Sequence, residues 1–320
     1  MQEMDFQLAQ AAAYLPPALQ MILKKLPPGF GAQIHEIRLR AGQPVALFDG
    51  KTAYLLEQDG RIGAQRNGRA YLFSRQELEA TFRAVCEYSV HSFQEEIKQG
   101  FVTLKGGHRA GLCGTCLLDH GQVIGLKEIS SINLRIARQM LGSADFLYSR
   151  LFSGEAKSVL LIGQAGSGKT TVLRDLIRQL SDGKNGTSYK VAVIDERGEL
   201  SASYHGVSQN QLGYNADVYH LYPKHIGMSM ALRTMSPQII ACDEISTEDD
   251  IEVLLQSMNA GAKVLATIHG GSLAEVSRRG KLSVLLKAGV FDAAAVLSGT
   301  KAPGTVAEII SLREAGTWES

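Results

Sequence analysis

Residues 163–171 hold the densest run of chemistry in the sequence: Gly163, Gln164, Ala165, Gly166, Ser167, Gly168, Lys169, Thr170 and Thr171. The first eight fit G-x-x-x-x-G-K-[ST], a loop whose glycines let backbone N–H groups curl around phosphates where a helix begins. In such a loop the lysine reaches the β- and γ-phosphates and the threonine hydroxyl holds Mg²⁺. The expectation is a site for ATP and Mg²⁺, contacted through Lys169, Thr170 and the loop amides. A plain glycine turn with an exposed lysine is the alternative. The apolar run Val159 to Ile162 before the loop, and the helical stripe Val172, Leu173, Leu176, Ile177 and Leu180 after it, count against that alternative.

A phosphate loop needs carboxylates from a neighbouring strand. Gln238-Ile-Ile-Ala-Cys-Asp243-Glu244 supplies four apolar residues ending in two acids, at the strand end where open α/β sheets place ligands. Asp243 is expected to join Thr170 at the metal, and Glu244 to polarise the attacking water. Val191-Ala-Val-Ile-Asp195-Glu196-Arg197-Gly-Glu199 competes for the same role. Asp243 and Glu244 are preferred for the metal strand, and Glu196 reads as a second carboxylate near the γ-phosphate, with solvated turn charges as the alternative. Leu265-Ala-Thr267-Ile-His269 puts a hydroxyl and an imidazole on one strand face. That pair is expected to sense the γ-phosphate; an ordinary hydrogen-bonded histidine at a strand end is the alternative.

The elements that must position these residues follow from periodicity. After Ser153-Gly154 apolar strands alternate with helices, at Val159–Ile162, Val191–Ile194, Ile239–Cys242, Val264–Ile268, Ala293–Leu297 and Val306–Ile310. That pattern predicts an α/β domain over 143–320 with a mostly parallel sheet covered on both faces. Residues 1–142 read differently. A helical, Pro-punctuated entry leads to a hairpin through Asp49-Gly50, a helix opened by the capping box Ser74-Arg-Gln-Glu77, and a glycine-rich meander from Phe101 to Ile132. This predicts a smaller α+β N-terminal domain with a twisted antiparallel sheet.

Composition narrows the function. Hydrophobic residues make up 45% and charged residues 20% of 320 residues, which excludes disorder and coiled coil. Lys+Arg 33 against Asp+Glu 32 leaves a net charge of +1, so no bulk basic field favours nucleic acid. A nucleic-acid-associated ATPase of the same core is the rival reading. Four cysteines are too few for a disulfide scaffold in a chain this long, and the Phe6–Leu23 stretch is broken by Pro16-Pro17. No membrane span is expected, so any membrane role goes through a partner.

The order of phosphate loop, acidic strand at Asp195, Asp243-Glu244 and Thr267-Ile-His269 resembles the secretion ATPases of type II and type IV pilus systems. There these are called the Walker A, Asp box, Walker B and His box. Val193-Ile-Asp-Glu-Arg-Gly-Glu199, Gly107-His-Arg-Ala-Gly-Leu-Cys-Gly114 and Ser130-Ser-Ile-Asn-Leu-Arg-Ile-Ala-Arg138 look more closely like the stage III sporulation protein AA family of endospore-forming bacteria. That resemblance spans about Gln33 to Leu312. It implies a RecA-like P-loop ATPase domain, a homohexameric ring and a motor docked on a membrane protein of the channel joining mother cell and forespore. The implied location is cytoplasmic and peripheral, on the mother-cell side. The sequence departs from the pilus family in having Asp243-Glu244 where that family has Gly-Glu, and in lacking a proline after Asp195 and a tetracysteine zinc module.

In the secretion family, arginines of the N-terminal domain approach the nucleotide. Positive charge supplied in trans is worth ~10³–10⁵ in rate. Arg38 and Arg40 lie two apart on a predicted strand, project from one face, and are the expected donors. Arg109, Arg135, Arg138 and Arg233 are rivals, and for each a solvated or ion-paired role is the alternative.

Overall fold

The computed structural model describes residues 4–65 and 68–312. The chain divides into two compact units, Met1–Arg138 and Gln139–Ser320.

The first unit opens with α1 (Phe6–Ala12) and α2 (Pro17–Leu23). Asp5 caps α1 by accepting the Leu8 N–H at 3.0 Å, and Pro17 occupies the first turn of α2, where its missing N–H forfeits no bond. There follow β1 (Glu36–Arg40), β2 (Gln43–Pro44), β3 (Ala46–Phe48), β4 (Ala53–Leu56), β5 (Ile62–Gly63), β6 (Leu72–Phe73), α3 (Arg75–Val85), α4 (Gln94–Lys98), β7 (Phe101–Thr103), β8 (Arg109–Asp119) and β9 (Gln122–Arg135). Seven strands make one antiparallel sheet in the order β5-β4-β3-β1-β9-β8-β7, while β2 pairs with β6.

The hairpin through Asp49-Gly50 joins β3 to β4, with the Asp49 carboxylate accepting the N–H groups of Lys51 and Thr52 at 2.8 and 2.7 Å. The capping box of Ser74 and Glu77 is complete and starts α3. Strand alternation sends Ile37 and Leu39 of β1 into a core with Leu8, Leu19, Phe73 and Leu78, leaving Arg38 and Arg40 on the opposite face. Gly114 sits where the β8–β9 register shifts, and a Cβ there would come within 2.7 Å of the Lys127 carbonyl oxygen.

The second unit contains α5 (Asp145–Leu151), β10 (Val159–Gly163), α6 (Lys169–Asp182), β11 (Val191–Asp195), β12 (Ala216–His220), α7 (Lys224–Thr234), β13 (Ile239–Cys242), α8 (Glu248–Asn259), β14 (Lys263–His269), α9 (Leu273–Ser277), α10 (Gly280–Lys287), β15 (Ala293–Leu297) and β16 (Val306–Ser311). The sheet order is β12-β11-β13-β14-β10-β15-β16; all pairs are parallel except β15–β16. Every residue of β10, β11, β13 and β15 is buried, as expected of Val/Ile/Leu/Ala runs covered on both faces.

Val172, Leu173, Leu176, Ile177 and Leu180 of α6 are fully buried, and Gly183 ends the helix in the left-handed region. The sequence reading missed β12. It is a partly buried edge strand whose residues include Asp217 and His220, so it offers no continuous apolar run. The order places β14 between β10 and β13. The loop after β10 and the acids after β13 therefore flank the C-terminal end of β14.

Candidate functional site

β10 feeds directly into the glycine loop. Gly166 and Gly168 hold φ of +73° and +88°, which only glycine adopts without strain. A Cβ on Gly163 would lie 2.3 Å from Ser167 Oγ, and one on Gly168 would lie 2.4 Å from the Gly304 nitrogen. The loop is thus packed at backbone distance on both sides. Its outer neighbour is the turn between β15 and β16, where the Gly304 N–H donates to the Ser167 carbonyl at 2.8 Å. The sequence reading did not single out this turn, although Pro303-Gly304 marks one.

Lys169 is the first residue of α6. Its Nζ donates to the carbonyl oxygens of Gly163 and Gln164 at 2.7 and 3.0 Å. Burial pushes its pKa down, against the pull of the Asp243 and Glu244 carboxylates. Neutral acceptors therefore hold the ammonium, and anionic phosphate oxygens would bind it more strongly. Gln164 and Ala165 are exposed on the loop, and Thr171 stands in the first turn of α6. The hydroxyl of Ser167 is buried within the loop without a hydrogen-bond partner.

Thr170 Oγ1 donates to Asp243 Oδ2 at 3.1 Å, joining the helix to the end of β13. The other oxygen, Asp243 Oδ1, accepts from Thr267 Oγ1 at 2.6 Å and from the Glu244 N–H at 3.0 Å. The Glu244 N–H also reaches Thr267 Oγ1 at 2.9 Å. Thr267 is fully buried, so β14 acts as a strut between the loop and the acids. A hydroxyl and a carboxylate already within hydrogen-bond distance form an oxygen donor set that suits Mg²⁺, a cation that takes few protein oxygens and keeps its waters.

Glu244 carries φ of +23°, an unfavourable backbone for a residue with a Cβ. Its Oε2 lies 3.3 Å from Arg197 Nη1. With Ser246, Ile268, His269 and Arg279 it lines a cavity of about 290 Å³. His269 is exposed and pairs in register with Gly163, and its carbonyl accepts from Arg279. Glu275 accepts the Gly271 N–H and pairs with Arg279, each at 2.6 Å, which ties the chain after His269 to α9.

The end of β11 is arranged differently from a second acid site. Asp195 is buried and turned inward, accepting from Leu200 N–H at 3.0 Å and from Ser201 N–H and Oγ at 2.7 and 2.6 Å. Glu196 is paired with Lys224 Nζ at 2.7 Å, and that lysine also lies 3.9 Å from the buried Asp250. The structure thus gathers residues 163–171 with Asp243, Glu244, Thr267 and His269, and engages Glu196 elsewhere. Arg197 carries no signal of its own in the sequence, being a single basic residue in an acidic run.

Arg38 and Arg40 belong to the first unit, where they line a cavity of about 300 Å³ with Gly111, Cys113 and Asn133. Arg38 lies 3.7 Å from Glu36. Among their rivals, Arg109 stacks 4.6 Å over the Phe101 ring, and Arg135 lies 3.8 Å from Glu36. Arg138 is committed to Asp5 and to the Gly31 carbonyl, both at 2.9 Å, and Arg233 donates to Ser229 O at 3.3 Å.

Residues 9–316 match the model of the family described as Sporulation stage III, protein AA. Stage III sporulation protein AA of Bacillus subtilis (strain 168) is 36% identical over 302 residues, 94% of each chain. Among solved structures, the pilus retraction motor PilT with bound ADP gives a TM-score of 0.57 at 17% identity, over 87% of this chain and 77% of that one. The ATPase DotB of Legionella pneumophila gives 0.53 at 18% identity, over 82% and 72%. At these identities the likeness concerns the fold: mixed α/β with a parallel-rich sheet, as in secretion ATPases.

Proposed function

The chain belongs to the sporulation stage III protein AA family, and from that premise we propose that it hydrolyses ATP with Mg²⁺ to drive a secretion-type channel or transport assembly. The observation that carries the reading is the 3.1 Å bond from Thr170 to Asp243 beside Lys169, at the mouth of a glycine loop.

In this mechanism Lys169 leaves its two carbonyl acceptors for the β- and γ-phosphates, while the loop amides and the start of α6 hold the remaining oxygens. Thr170 and Asp243 would hold the metal, which when bound neutralises charge building on the phosphate oxygens. Glu244 takes the proton of the attacking water. Thr267 fixes the Asp243 carboxylate and the Glu244 peptide together, so metal ligand and base keep one spacing. His269, at the end of the same strand, senses whether the γ-phosphate is present. Arg38 and Arg40 of a neighbouring copy supply further positive charge in a homohexamer. The ring docks on a membrane protein, on the mother-cell side of the channel.

Two measurements test this. Glu244→Gln should retain nucleotide binding and lose about 10²–10⁴ of its phosphate release rate. Lys169→Ala should abolish the calorimetric heat of ATP binding at millimolar nucleotide and magnesium. Wild-type turnover in the first variant would remove Glu244 as the base, and unchanged heat in the second would remove the site. With a net charge of +1, added DNA or RNA should leave turnover unchanged.

A further inference from the structure

The run from Asp195 to Glu199 is largely unused by the mechanism above, yet it is built with care. β11 ends at Asp195, and Gly198 turns the chain with φ of +63° and an N–H to the Asp195 carbonyl at 3.4 Å. The same carbonyl accepts the Leu221 N–H at 2.9 Å from the end of β12. The Asp195 carboxylate fastens Leu200 and Ser201, and Arg174 of α6 donates to the carbonyls of Glu199 and Leu200 at 2.7 and 3.1 Å. The turn is therefore anchored to its own strand, to the neighbouring strand and to the helix that starts at Lys169. What it delivers is Arg197, whose guanidinium lies 3.3 Å from the Glu244 carboxylate.

We propose that Arg197 is a positioning residue for Glu244. The proposal rests on the reading of Glu244 as the base. The Glu244 peptide is pinned through Thr267 and Asp243, but nothing in that clamp sets the direction of its carboxylate. Arg197, presented from that anchored turn, supplies the missing constraint by drawing the carboxylate to one side. The side chains are 62% and 40% exposed, so the pair is weak. It aims the carboxylate without immobilising it, and the carboxylate can still follow the water.

The test is steady-state ATP hydrolysis by Arg197→Ala, Arg197→Lys, Glu244→Gln and the Arg197→Ala/Glu244→Gln double variant, with ATP affinity measured alongside. Arg197→Ala should lower kcat about 10-fold or more with KM for ATP unchanged, since misplacing a reacting group by 1 Å costs up to ~10²-fold. Arg197→Lys should recover most of the loss, and millimolar guanidinium should partly restore Arg197→Ala. In the Glu244→Gln background Arg197→Ala should add nothing.

Wild-type kcat in Arg197→Ala, a rise in KM with kcat unchanged, or no recovery with lysine would each overturn the proposal. Should Arg197→Ala fold poorly, Arg197→Gln, which keeps a long polar side chain but removes the charge, takes its place alone and with Glu244→Gln, with the same expected and overturning results. Should Glu244→Gln turn over like the wild type, the reading of the base falls and this inference with it. A dead Glu244→Gln beside a normal Arg197→Ala sinks the inference alone.

Discussion

Three adjacent side chains at the end of β11 go three ways: Asp195 inward, Glu196 to Lys224, Arg197 to Glu244. Asp195→Ala would leave the N–H groups of Leu200 and Ser201 buried and unpaired. The variant should lose about 2–4 kcal/mol of stability, read from its urea midpoint. Glu196→Gln should also act through stability, because it strips a full charge from beside a nearly buried ammonium. An activity loss in Glu196→Gln at unchanged stability would return that residue to the nucleotide. The sequence displayed an acidic strand end here and showed its residue types correctly. What it could not show is direction, because strand alternation stops at the turn and each side chain then follows whichever partner the turn presents. Thr267 was the opposite case. It lies within a regular strand, so parity put it on one face with His269, while its burial and its bonds to Asp243 and Glu244 needed the structure.

Elements with a strong local cause were legible. The capping box at Ser74 announced α3, and it forms in full. β12 was not, since an edge strand needs no apolar run. Nor was the shift at Gly114, which depends on the backbone of β9. The most consequential unread position is His108, a fully buried histidine in β7–β8 territory. Its Nδ1 accepts the Ala137 N–H at 3.0 Å, which makes it the fastening just past the end of β9. Burial first, and the nearby Arg138 second, push its pKa from 6.5 down to about 4.

The sign follows. Below pH 6.5 the unfolded chain takes up a proton that the folded one refuses, so stability is full above that value and falls as pH drops towards 4. The slope is about 1.4 kcal/mol per pH unit and the total is on the order of 3 kcal/mol. Carboxylates held low by their partners, such as Asp5 by Arg138 against its burial, begin to matter only nearer pH 4. Urea denaturation of the full chain between pH 6.5 and 4.5 should show this slope, and His108→Asn should flatten it. An equal slope in the variant would assign the loss to other groups.

For the molecule as a whole, alternation of apolar strands with helices after Ser153 was enough to expect a parallel-rich sheet, and the sheet order then brings loop and acids together at the C-terminal ends of its central strands. The proposed ring belongs to several copies, and no periodicity within one chain encodes it. Subunit mixing tests it directly. Lys169→Ala protein and Arg38→Ala/Arg40→Ala protein, each inactive alone, should regain part of the wild-type ATPase activity when mixed, because some interfaces then combine an intact loop with intact arginines. No regain in mixed oligomers would take the two arginines out of the neighbouring site.

The bond from Gly304 to Ser167 and the close packing of Gly168 on Gly304 join the glycine loop to the β15–β16 turn. β16 ends the sheet order, so its far side has no strand beside it among the described residues. On the proposed function, a displacement of the loop when phosphate leaves should pass through that turn to β16, as a rudder follows its tiller. Hydrogen exchange along Val306–Ser311 should change in step with nucleotide occupancy although no phosphate ever touches it. If the exchange changes, that margin is where the proposed chemistry at the sheet's centre would become movement another molecule can feel.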